Sequence, residues 1–385
     1  MTSFKKLSAL LVLSSSLVVS TAQIGWAKEM TNPPVGNPLT PGKEIHGVIS
    51  TVIPQFKPLA PDEIKGEKVY VLEDGTKVPT LFYPGTTPGP RPLIIANFGL
   101  FTDKGAGAIG RFIRKLVLTG KIDADFLLVS NVTSATFYSE NHEFGLGGYD
   151  EGKILIELAK QLRRKGFQNS SIELMGVSLG GNAVLQALIE DERIGRDDFQ
   201  SAIVFSAVLN EGESSASLLS AFGHPITRPA GPPLSEGGAL IAKGLVISLK
   251  KTLKAENQPH DFSISGTGDV FYKNFGERLN RLSLAGSEKQ SWNQGVAMSS
   301  VEDYLETSSA IVPADMDRVK VPLVVVHAKN DPLVPFTQFE EFAKREDANP
   351  RILTLAVDQG GHFGFASPYG DDWINELITR AREIK

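Results

Sequence analysis

The sequence predicts an α/β protein: an eight-stranded, mostly parallel sheet covered on both faces, with a helical cap inserted late in the chain. Three observations carry this. From residue 92 onward, apolar runs of strand length alternate with segments of helical periodicity, the pattern of parallel strands joined by crossover helices. A hairpin signal precedes them, so the sheet opens antiparallel. Between the sixth and seventh strands, residues 211–320 change texture and turn helical. The 385 residues are 41% hydrophobic and 22% charged, ordinary globular composition with length for one large domain. A net charge of -5 gives no basic field for nucleic acid.

Residues 1–27 read as a signal peptide. Lys5 and Lys6 precede an apolar stretch, Leu7 to Val19, that is short for a membrane span. Small residues at Ser20-Thr21-Ala22 and at Gly25-Trp26-Ala27 each suit signal peptidase, and an uncleaved anchor is the competing reading. The chain has no cysteine, which excludes thiolate catalysis, cysteine-ligated metal and a lipidated N-terminus. A periplasmic or secreted protein is expected. Residues 28–66, rich in proline, read as an extended lead-in.

The sheet domain occupies 67–210 and 321–385. "KVYVLEDGTKVPTLFYPG" supplies two β-rich runs around Asp74-Gly75. "PLIIANFG" (92–99) and "DFLLVSNV" (125–132) are strands three and four, with a helical pattern near 107–118 between them. "GGYDEGKILIELAKQLRRKG" places Ile154, Leu155, Leu158, Ala159 and Leu162 on one helical face. "SIELMG" is strand five, and Val184, Leu185, Leu188 and Ile189 repeat at helical spacing after it. "SAIVFSAVL" (201–209), "VPLVVVHA" (321–328) and "RILTLAV" (351–357) complete the eight, and "DDWINELITRAREIK" is the closing helix.

Ser178 lies in "GVSLGG", between strand five and that helix. With 37 glycines in the chain, a G-x-S-x-G arises by accident in roughly one sequence in four of this length, so the letters alone decide nothing. The setting decides. A nucleophile at this junction sits on a sharp strand-to-helix turn that the flanking glycines leave room for, and the helix N-terminus behind it favours developing negative charge. The hydroxyl then needs a base. Of six histidines, His46, His224 and His260 fall in the lead-in or the cap, His142 follows strand four, and His327 sits within an apolar strand as a buried neutral ring. His362, directly after strand eight, shares the strand-end edge with Ser178. Asp331, after strand seven, is the acid that orients it, with Asp358 the competitor; Asp315 and Asp317 fall at the opposite edge. The order Ser178, Asp331, His362 is that of the α/β-hydrolase fold. Two N–H groups must hold the oxyanion. Leu179 supplies one, and Leu100, or its neighbour Phe101, the other. No metal and no cofactor is expected: "GAGAIG" (105–110) starts too far past its strand for a dinucleotide turn, and strand four ends without the ribose-binding acid.

These stretches resemble the YheT-like esterases of the α/β-hydrolase superfamily. "GVSLGGN" is similar to their nucleophile segment, "SSVEDYLETSSA…VKVPLVVVHAKNDPLVP" to the segment leading into the acid, and "GGHFGF" to the histidine turn, over residues 67–380. The resemblance implies hydrolysis of carboxylic esters, often of acyl lipids, without metal or organic cofactor. The chain departs from that pattern where Phe98-Gly99 replaces a His-Gly pair, where "NVTSATF" replaces an arginine-glycine turn, and in its export signal. The expected substrate is a small-molecule or lipid ester of medium or long acyl chain. A peptidase or amidase, and a binding protein on a hydrolase scaffold, are the alternatives. Lys243, Lys250, Lys251 and Lys254 beside Leu240, Ile241, Val246 and Leu249 fit either a lid with one solvated face or a peripheral membrane contact.

Overall fold

All eight predicted strands form, because each apolar run has a neighbour with which to satisfy its backbone and bury its side chains. The computed structural model describes residues 66–104, 113, 122–145, 147–167, 169–214, 273, 277, 311, 313–344, 348–362 and 371–384. These residues all belong to one compact unit, Pro34–Lys385. The strands are β1 (Glu67–Val71), β2 (Lys77–Tyr83), β3 (Leu93–Asn97), β4 (Asp125–Val129), β5 (Ile172–Val177), β6 (Ala202–Phe205), β7 (Leu323–Ala328) and β8 (Ile352–Val357). They make one sheet in the order β1-β2-β4-β3-β5-β6-β7-β8. β1 and β2 form the expected antiparallel hairpin, β2 runs antiparallel to β4, and every later pairing is parallel.

β3 to β7 are buried along their whole length, as a sheet covered on both faces requires. Between and after the strands lie α1 (Ala135–Asn141), α2 (Gly148–Arg164), α3 (Leu179–Ile194), α4 (Pro313–Met316), α5 (Phe336–Ala343) and α6 (Asp371–Glu383). The apolar stripe read on α2 is buried, with Leu155, Leu158, Ala159 and Leu162 fully so, and α2 packs against α3. Truncating one of these leucines to alanine costs about 2–5 kcal/mol. α6 covers β6 and β7 from the chain end.

Three strands stop earlier than the apolar letters do. The expected ends at 99, 132 and 209 become Asn97, Val129 and Phe205. Phe98, Val132 and Ala207 to Leu209 are buried all the same, because the turns at this edge lie inside the protein. After β6 the ladder breaks at Ser206, whose φ of 43° turns the chain so that the Val208 N–H donates to the carbonyl of Ser178. The readings of 1–27 as a signal peptide and of 28–65 as a lead-in lie outside the described residues. So do "GAGAIG", most of the 107–118 helix, and most of the 211–320 cap with its four lysines and with His224 and His260.

Candidate active site

The site begins with register. Asn97 of β3 pairs with Gly176 of β5, Val177 with Phe205, Phe205 with Val326, and Ala328 with Val357. The carboxyl ends of the parallel strands therefore form one edge, and the turns after β3, β5, β7 and β8 open on it. Ser178 occupies the turn after β5.

Ser178 is the N-cap of α3, with φ 59° and ψ -128°. That is a costly conformation for a residue with a side chain, on the order of 1–3 kcal/mol. An N-cap serine usually spends its hydroxyl on the helix, as Ser134 does by accepting from the Phe137 N–H. Ser178 makes no such bond. Its backbone is held from both sides: its N–H donates to Phe205, and its carbonyl accepts from Gly181, Asn182 and Val208. The turn closes because α3 comes very near the sheet. A Cβ on Gly180 would lie 2.5 Å from the Asn97 carbonyl oxygen, and one on Gly176 would lie 2.6 Å from the Gly180 oxygen.

Asp331 and His362 meet at 2.8 Å, from Asp331 Oδ2 to His362 Nδ1, with both side chains buried. A carboxylate accepts, so Nδ1 carries the proton and Nε2 is left as the basic nitrogen. The other carboxylate oxygen, Oδ1, accepts the Leu333 and Val334 N–H groups at 2.8 and 3.0 Å. Burial alone would raise the Asp331 pKa. The His362 ring and its hydrogen bond, then His327 and the Val334 N–H, outweigh burial and hold it below the usual value. Asp358 is committed elsewhere, to Lys329 Nζ at 2.9 Å. The acid turn and the histidine turn are also tied together, since the Gly361 N–H donates to Asn330 Oδ1 at 2.9 Å.

His327 is buried within β7, as its apolar strand implied. Burial pushes its pKa down, against the Asp331 charge and the Val334 carbonyl. Its Nε2 lies 3.2 Å from that carbonyl, to which it donates, and 3.9 Å from Asp331 Oδ2. Phe336 and Phe339 pack against the ring. His142 caps the C-terminus of α1, its N–H donating to the Tyr138 carbonyl.

The turn after β3 separates the two candidate oxyanion donors. The Phe101 N–H donates to Thr133 Oγ1 at 2.8 Å, whereas among the described residues neither the Leu100 nor the Leu179 N–H donates to another protein group. Phe101 has φ 60°, and the Thr102 N–H closes the turn onto Gly99.

Sequence reasoning missed the polar cluster beneath this turn. Glu151 of α2, Asn131 and Thr133 are wholly buried, and Asn97 lies beside them. Glu151 Oε1 accepts the Val132 N–H and Oε2 accepts Asn131 Nδ2, each at 2.9 Å. Burial pushes the Glu151 pKa up to about 8; the Val132 N–H, Asn97 and Asn131 work against this and Asp150 with it. One signal was present: Glu151 is spaced three, four and seven residues before Ile154, Leu155 and Leu158, so a carboxylate stands on the buried stripe.

No family model and no curated protein matches the chain. Solved structures do. The esterase Pf2001 of Pyrococcus furiosus superposes with a TM-score of 0.50 in two crystal forms, at 14% and 13% identity. The match covers 93% of this chain and 100% and 98% of that one. An acylaminoacyl peptidase of Pyrococcus horikoshii is similar at a TM-score of 0.49 and 14% identity, over 88% of this chain and 43% of that one. Identity at this level speaks to fold alone. With the strand order and the turn at Ser178, the fold is that of the α/β-hydrolases.

Proposed function

We propose that the protein is an exported serine hydrolase that cleaves carboxylic esters through an acyl-enzyme on Ser178, and that it belongs with the YheT-like esterases. The observation that carries this reading is the buried Asp331–His362 pair on the same sheet edge as Ser178, whose hydroxyl its helix leaves uncapped.

His362 Nε2 takes the Ser178 proton as Oγ bonds to the ester carbonyl carbon. The carbonyl π electrons move to oxygen, where the Leu179 and Leu100 N–H groups hold the negative charge. His362 then returns the proton to the departing alkoxide as the C–O bond breaks, leaving acyl-Ser178 and an alcohol. Water repeats the sequence on the acyl-enzyme and frees the acid. Asp331 keeps the Nδ1 proton in place and stabilises the imidazolium formed in each half. In this reading residues 1–27 direct export.

The test is covalent labelling with a fluorophosphonate, followed by turnover of p-nitrophenyl esters of graded chain length and of the matching anilides. Labelling confined to Ser178, with ester turnover that rises with chain length, is expected. Ser178→Ala is expected to abolish labelling and to lower turnover by about 10⁶-fold. Anilides cleaved as fast as esters would turn the reading to a peptidase or amidase, and labelling that survives Ser178→Ala would refute it.

A further inference from the structure

The turn that carries Leu100 has no regular structure of its own, yet it is bound at three points by two residues. Asn131 Nδ2 donates to the Phe98 carbonyl at 2.9 Å, the Asn131 N–H donates to the Thr102 carbonyl at 3.0 Å, and Thr133 Oγ1 accepts the Phe101 N–H. Asn131 and Thr133 are themselves locked together. Asn131 Oδ1 accepts both the N–H and the hydroxyl of Thr133, and the second Nδ2 proton goes to Glu151. The Asn131 carboxamide thus uses both donors and both acceptor positions, which fixes which way it faces.

We infer that Asn131 and Thr133, seated on Glu151, are positioning residues that place the Leu100 N–H for the oxyanion; this rests on the ester-hydrolase reading above. Phe101 sits at φ 60°, a conformation that costs a residue with a side chain on the order of 1–2 kcal/mol and has to be held. Apolar packing would hold the bulk of the turn as firmly. It would not decide the direction in which each peptide unit faces, and a satisfied hydrogen-bond network does. The Thr133 hydroxyl takes the Phe101 N–H and orients the peptide between residues 100 and 101, and Asn131 Nδ2 donates to the Phe98 carbonyl and orients the peptide between 98 and 99. The Leu100 N–H lies on the peptide between these two, whose Gly99 carbonyl accepts the Thr102 N–H. Among the described residues the Leu100 N–H meets no protein acceptor, and it is left for substrate. Glu151 completes the unit from α2, the helix that also packs against α3 and hence against the nucleophile turn.

Thr133→Val keeps the shape and removes the hydroxyl. The readouts are kcat and KM for a short p-nitrophenyl ester and the affinity for a trifluoromethyl ketone, whose adduct with serine carries an oxyanion. Loss of a whole oxyanion donor costs about 10² to 10³ in kcat. A displaced donor is expected to cost about 10 to 10²-fold, with KM nearly unchanged and the ketone weakened in proportion. Thr133→Ser is expected to restore both. Asn131→Asp, which turns acceptors toward the Phe98 carbonyl and Glu151, is judged by the same two numbers if Thr133→Val does not fold. A variant that melts earlier but keeps kcat and ketone affinity overturns the inference and leaves a purely structural role. Failure of the ester-hydrolase reading looks different: there Ser178→Ala, not Thr133→Val, retains turnover.

Discussion

Glu151 is a carboxyl group with no exposure to water, and replacing it with glutamine turns that burial into a measurable crossing of stabilities. In the unfolded chain a glutamate titrates near 4.5; in the fold this one titrates near 8. The folded state therefore holds a proton that the unfolded state has released between those limits, and stability falls as pH rises through that window. At 1.36 kcal/mol per tenfold, the whole displacement is worth about 5 kcal/mol, of which about 4 lies between pH 5 and pH 9. The groups facing the carboxyl are the Val132 N–H, Asn97, Asn131 and, on its own helix, Asp150. Glutamine removes the titration at a price in hydrogen bonding. Its single carbonyl oxygen can serve Val132 or Asn131, and its NH₂ faces the donor left over. That mismatch costs about 1–3 kcal/mol. Urea unfolding at pH 5 is expected to find Glu151→Gln less stable than wild type by about that amount, less what burial of the partly ionised group already costs. At pH 9 the variant is expected to be the more stable protein. A difference between the two that stays constant from pH 5 to pH 9 would show that Glu151 does not titrate where its surroundings place it.

The remaining predictions concern the acid and the strained turn. Asp331→Asn is expected to lower kcat by about 10⁴-fold by spoiling the His362 tautomer, while Asp358→Asn, which loses only its partly exposed pairing with Lys329, keeps turnover close to wild type; steady-state kinetics that reverse this ranking would move the acid to Asp358. Ser178→Gly is expected to abolish turnover and to raise unfolding stability by about 1 kcal/mol, because glycine adopts φ 59° without strain; a melting temperature at or below wild type would show that the turn stores none.

Much of this architecture can be read from the chain because the buried strands leave no choice of letters. "LIIAN", "DFLLV" and "LVVVHA" are apolar from end to end, as strands covered on both faces must be. The turn at Ser178 is legible for a similar reason: Gly176 and Gly180 stand where two backbones approach within the space of a methyl group. Asp331 and His362 followed from topology, since each comes directly after a strand whose carboxyl end lies on the Ser178 edge. Strand ends were less legible, because Phe98 and Leu209 are buried by turns and look no different from residues buried by a ladder. Which of the Leu100 and Phe101 N–H groups is bonded within the protein was closed to sequence reasoning altogether. It depends on one hydroxyl, Thr133, thirty-two positions further along. The polar cluster stayed hidden because buried asparagine and threonine read as ordinary loop residues, and only Glu151 broke a pattern.

The tie between Asn330 and Gly361 has an evolutionary consequence. Asp331 and His362 stand in the turns after the neighbouring strands β7 and β8, braced by that bond, by the Lys329–Asp358 pair and by the Lys329 N–H on the Val357 carbonyl. Ser178 and the turn after β3 stand on β3, β5 and α3, on the other side of β6 in the same sheet. In the chain, residues 211–320 fall between β6 and β7. The two ends of that segment are built into the domain, through Glu213 and Ser214 on Gln338 and through the Met316 and Val319 carbonyls on Asn349. A lineage can therefore lengthen or shorten the chain between residues 214 and 311 without rethreading the sheet, while the Asp331–His362 pair and the Ser178 turn stay where they are.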